Sequence, residues 1–123
     1  MSRLKVDAGG VQFEIEGGDG PTARALVAAA PFESSASTWG EEVYFSTPVH
    51  AKLEPGAAQV VDPGTVCFWT QGDSLALPYG PTPISTDGRP KLANACTILG
   101  RVVGDFLVLK RIRAGEKIKV SKA

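Results

Sequence analysis

The sequence predicts a mainly β protein, a small closed antiparallel β-barrel with two short helices. Three observations lead there. Fourteen glycines and nine prolines in 123 residues require many tight turns. Apolar residues recur at every second position in one segment after another. Only residues 21–30 and 106–114 combine helical spacing with matching end signals.

The elements follow in order. Residues 3–7 alternate, with Leu4 and Val6 on one face; Gly9 and Gly10 make a turn, and Val11, Phe13 and Ile15 resume the period of two. That is a hairpin, with Glu14 and Glu16 on its solvent side. Pro21 suits the first turn of a helix, whose stripe of Leu26, Val27 and Ala30 covers one barrel end before Pro31 stops it. Residues 34–40 are small and polar and read as a connector. A strand over 41–46 puts Val43 and Phe45 on one face and Tyr44 on the other, and Pro48 ends it. After a second connector, residues 59–62 form a short strand that stops at the turn Asp62-Pro63-Gly64.

In the next strand Val66, Phe68 and Thr70 face oppositely to Cys67 and Trp69. Gln71, Gly72 and Asp73 turn the chain, and Leu75, Leu77 and Tyr79 form another alternating set. Residues 81–94 read as a long loop rich in Pro and Gly, a length associated with function or mobility. Ile98, Leu99, Val102 and Val103 then predict a buried strand, with close backbone approach at Gly100. Asp105 is a good N-cap, and Phe106, Leu109 and Ile112 share a helix face. Lys110, Arg111 and Arg113 complement the dipole of the last turn, and Gly115 suits the C′ position. Residues 117–121 alternate again as a final half-buried strand.

The totals bound the function. A chain of 123 residues with zero formal charge suits one domain over 1–123 and argues against a nucleic-acid partner. The C-terminal lysines and arginines are explained by the helix end and a solvated strand face. No apolar run approaches the ~20 residues of a membrane span. Residues 1–7 have neither signal nor targeting character, which makes the cytoplasm the default expectation. Cys67 and Cys96 sit in apolar strand contexts and are expected to be reduced core residues. His50 has no Cys or His neighbour, so no metal site is expected. With no phosphate loop and no nucleophile beside a base, no cofactor is expected either.

Four stretches taken together carry a family likeness. TWGEEVYFS at 38–46, PGTVCFWTQGDSLALPYGPTPIS at 63–85, TILGRVVGDFLVLKRI at 97–112 and GEKIKV at 115–120 resemble, in order and spacing, the small single-domain cyclophilin-like family of bacteria and archaea, whose function is unassigned. The resemblance implies a reduced cyclophilin-type β-barrel. Cyclophilins isomerise the bond before proline, whose barrier is ~20 kcal/mol, with an arginine in a Phe-His-Arg motif that weakens amide resonance. The corresponding stretch here, GEEVYFSTP at 40–48, holds neither arginine nor histidine, so no catalytic residue is carried over.

What is retained is aromatic. Trp39, Tyr44, Trp69 and Tyr79 come from neighbouring strands, and although a core role explains any one of them, several on one surface make a stacking or proline-binding patch. Glu42 and Thr82 are expected at its rim, with solvent exposure the simpler account of Glu41 and Glu42. The leading expectation is therefore a module that binds a peptide segment or small ligand through Trp39, Glu42, Tyr44, Trp69, Tyr79 and Thr82. One alternative is a weak peptidyl-prolyl isomerase that acts by desolvating proline. Another is a homo-oligomer whose aromatic patch is covered by self-association.

Overall fold

A computed structural model describes residues 2–123 of the chain. Gly9 and Gly10, at φ of 59° and 95°, turn strand β1 (Ser2–Ala8) into β2 (Val11–Gly17). Helix α1 (Pro21–Ala29) follows, then β3 (Phe32–Ser35), β4 (Ser37–Thr38), β5 (Glu42–Ser46), β6 (Ala58–Val60), β7 (Thr65–Trp69), β8 (Ser74–Pro78), β9 (Lys91–Val102) and β10 (Lys117–Lys122). Nine strands form one antiparallel path in the order β3-β10-β1-β2-β9-β7-β8-β5-β4, and β6 pairs with β9. Near the two ends of that path the Ser34 and Ser46 hydroxyls meet at 3.2 Å, which ties β3 to β5 and brings the sheet close to a closed barrel. No helix among the described residues is long and apolar enough to cross a membrane.

Alternation sorts the side chains. Val6, Phe13, Val43, Phe45, Val66, Phe68, Leu75, Leu77, Ile118 and Val120 fill the interior, joined by Leu26 from α1. Each such side chain contributes roughly 1.5–3 kcal/mol by leaving water. On the opposite face of β5, β8 and β7 a second cluster gathers Cys67, Ala76, Leu92 and Cys96, against which Tyr44 and Trp69 pack half-buried. Both cysteines are free.

Helix α1 has Pro21 in its first turn but no capping side chain at Gly20. Its cap comes from afar: Glu54 Oε2 accepts from the Thr22 amide at 2.9 Å, while the Glu54 amide donates to Thr97 Oγ1 at 3.1 Å. A carboxylate there satisfies an orphan N–H and the positive end of the helix dipole together.

Four sequence expectations are corrected. Residues 34–40 are not all connector, because β3 pairs with β10 and β4 with β5; pairing partners, not local composition, make them strands. The loop expected over 81–94 ends at Pro90, where β9 begins beside β6. Ile98 and Val103 are 40% and 37% exposed, since they project from the outer side of β9 and its end. The second helix is a 3-10 turn over Phe106–Arg111 rather than an α-helix to 114. Phe106, Leu109 and Ile112 recur every third residue, and a three-residue turn aligns that spacing on one side. Asp105 does cap it, accepting from the Leu107 amide at 2.9 Å.

Candidate functional site

The register of β5, β8 and β7 decides what meets outside the barrel. Tyr44 lies opposite Ala76, and Ala76 opposite Cys67, so a row reads large, small, small across three strands. The small side chains leave a hollow, and Cys96 and Ala93 of β9 extend its floor. Trp39, Tyr44, Trp69 and Leu92 line it, and the hollow, open on one side to solvent, holds about 300 Å³. The Tyr44 and Trp69 rings meet edge to face, with centroids 6.3 Å apart and planes at 85°. Trp69 is held further by its indole N–H, which donates to Asn94 Oδ1 at 3.1 Å.

Glu42 is the one carboxyl in this lining. It was expected at a solvated rim, yet only 6% of it is exposed. The reason lies in what shares its face: Glu42 lies on the outer face of β5 with Tyr44, and that face lines the cavity beside Trp39 rather than open solvent. Its Oε1 has no hydrogen-bond partner among the described residues. Burial alone pushes its carboxyl up to about 7. Burial also raises the Cys96 thiol to about 12 and drives the Cys67 thiol strongly upward, with the Glu42 charge adding to both. Neither thiol is a nucleophile near neutral pH.

Of the six side chains expected together, four line the cavity: Trp39, Glu42, Tyr44 and Trp69. Tyr79 and Thr82 do not. Tyr79 stands two residues beyond Leu77, so the period of two sends it to the interior cluster with Leu75 and Leu77, where burial raises its phenol and Glu41 adds to the shift. Thr82 is 6% exposed and turned inward to fasten its loop: its hydroxyl donates to the Lys91 carbonyl, and its amide donates to Ser85 Oγ at 2.9 Å. That loop in turn receives the Trp39-Gly40-Glu41 corner, with the Glu41 amide donating to the Pro81 carbonyl at 3.0 Å. Gly40 sits there at φ 59°, so close to Pro81, Thr82 and Pro83 that a side chain has no room. Thr82 therefore supports the wall from behind. Ala76, Leu92, Ala93 and Cys96 were missed; the one signal for them was the run of small residues facing Tyr44.

Residues 2–121 match the family described as Cyclophilin-like. The chain belongs to the cyclophilin-like family. The solution structure of the hypothetical protein AF2241 from Archaeoglobus fulgidus superposes with a TM-score of 0.84 at 34% identity, over 99% of this chain and 95% of that one. The structure of McbB in complex with tryptophan gives a TM-score of 0.70 at 14% identity, over 97% of this chain but 44% of McbB, and shows the fold alone. No curated protein matches.

This cyclophilin-like cavity contains no arginine and no histidine in its lining. His50 is exposed and paired with Asp73, Nδ1 to Oδ1 at 2.8 Å, and Arg101 is exposed on β9. Among the described residues, no group of three or more His, Cys, Asp or Glu side chains is placed to hold a metal ion.

Proposed function

We propose that this cyclophilin-like chain is a binding module that takes a small ligand, or one side chain of a peptide, in the cavity between Trp39, Tyr44 and Trp69. The observation that carries this reading is the cavity itself: about 300 Å³ of concave space with aromatic walls and a single buried carboxyl. Ligand pockets are typically apolar hollows of roughly 300–1,000 Å³ with few polar groups that orient the guest. An isomerase needs a donor at the proline nitrogen, and the lining offers no cationic one.

The reading is tested by NMR titration with indole, benzamide and N-acetylprolinamide. Binding is expected to move the Trp39 and Trp69 indole signals and the Tyr44 ring, and Trp69→Ala is expected to abolish it. Shifts confined to other surfaces overturn the reading. If the aromatic signals instead move with protein concentration alone, the patch is a contact between copies, and sedimentation velocity will show the dimer.

A further inference from the structure

We infer that the cavity selects a small organic ammonium ion, held by the Glu42 carboxylate and the ring faces of Trp39, Tyr44 and Trp69. The inference rests on the binding-module reading above and names the chemistry of its guest.

Three features carry it. Glu42 is more than nine-tenths buried with Oε1 unpartnered, so when ionised it carries a charge that no protein donor at that oxygen offsets. No lysine, arginine or histidine lines the cavity, so the protein supplies no counter-ion of its own. The walls are the residue types whose π faces attract cations, and the Tyr44 and Trp69 rings that line the cavity stand nearly perpendicular, at 85°. Trp69 presents its ring rather than its N–H, because that donor is already engaged by Asn94. An anionic guest would meet the Glu42 charge with no cation to offset it. A neutral guest would gain the rings and at most donate a hydrogen bond to Glu42, leaving its charge unbalanced.

The charge of the site titrates. The titratable groups facing Glu42 are Cys67 from β7, Cys96 from β9 and Tyr44 from its own strand. The two thiols stay protonated across the neutral range, so Glu42 alone sets the pH response. An ammonium guest binds the ionised carboxylate, so affinity rises with pH until Glu42 is fully ionised and is flat above that. A guest that accepts a proton from neutral Glu42 shows the reverse slope.

The probes are choline and its uncharged carbon isostere, 3,3-dimethylbutan-1-ol, followed at the Trp39 and Trp69 indole N–H signals at pH 8 and pH 5.5. Choline is expected to bind at least about tenfold more tightly than the alcohol at pH 8, as a desolvated cation–π contact implies. The preference is expected to shrink at pH 5.5, where Glu42 is protonated, and to fall likewise in Glu42→Gln, leaving only the smaller share that the rings supply. Equal affinity for the two probes at pH 8 overturns the ammonium inference while leaving the binding-module reading standing. So does a choline preference that ignores pH in the wild-type chain, a readout that needs no variant. If neither probe moves the indole signals the inference also fails, and the neutral-fragment titration decides the broader reading by itself.

Discussion

Gly72 lies directly under the six-membered ring of Trp69, so closely that a Cβ at that position overlaps Cε3 and Cζ3. The glycine ends the 3-10 turn Thr70–Gly72, and Asp73 follows in the left-handed region at φ 48°. One wall of the cavity thus depends on the absence of a side chain in the turn that follows it. Gly72→Ala is expected to tilt the indole, break the bond to Asn94 and weaken ligand binding. Overpacking of this kind costs about 1–3 kcal/mol, and the shift of the Trp69 indole signal together with a thermal melt checks it.

The two faces of β5 and β7 respond differently to truncation. Phe45→Ala and Phe68→Ala empty the interior and are expected to cost about 3–5 kcal/mol. Tyr44 and Trp69 are half-buried walls, so their alanine variants are expected to cost ~1–2 kcal/mol, between an exposed and a fully buried truncation. Denaturant melts of the four variants measure the difference, and equal losses on both faces contradict the sorting.

Glu42 makes folding stability depend on pH in an unusual direction. Its carboxyl is raised from 4.5 to about 7, so between those values the folded chain holds a proton that the unfolded chain has released. Stability contributed by this group is therefore full below pH 4.5, falls as pH rises toward 7 and is level above it. The fall is on the order of 3 kcal/mol. Denaturation midpoints of wild type and Glu42→Gln between pH 4 and pH 8 check this; the variant is expected to lack the slope.

Glu54→Ala removes the cap of α1. The loss is expected to be about 1–2 kcal/mol, the range of a helix cap with a charge-assisted bond. Glu54→Gln keeps the acceptor without the charge and is expected to fall between wild type and alanine in a thermal melt.

Proline isomerisation of a short peptide is expected to proceed near the uncatalysed rate. A protease-coupled assay at micromolar protein measures it. Efficient turnover contradicts the argument from the cavity lining and directs substitution to His50 and Arg101.

The parts of the fold legible in the sequence were those written locally. Alternation alone separated Tyr44 from Phe45 and Trp69 from Phe68, and glycine pairs and Asp62-Pro63-Gly64 marked the turns. What depended on distant partners was hidden. The strand character of Phe32–Ser35 comes from β10, and the cap of α1 comes from a residue more than thirty positions away. Glu42 reads as a surface acid because nothing nearby in sequence shows that the outer face of β5 will line a cavity with Trp69 and Cys96. Tyr79 is the instructive case: its period of two with Leu75 and Leu77 already pointed to the interior, and its aromatic character drew it into the expected site instead.

The hydroxyl pair Ser34 and Ser46 gives the barrel a seam. Everywhere else along the path neighbouring strands are laced by a ladder of amide bonds, while here β3 and β5 pack side by side and the hydroxyl pair bridges them. The cylinder is therefore laced by backbone pairing around most of its circumference and latched by side chains along one line. Strand β5, which carries Glu42 and Tyr44, borders that line, so the cavity is built on the staves nearest the latch.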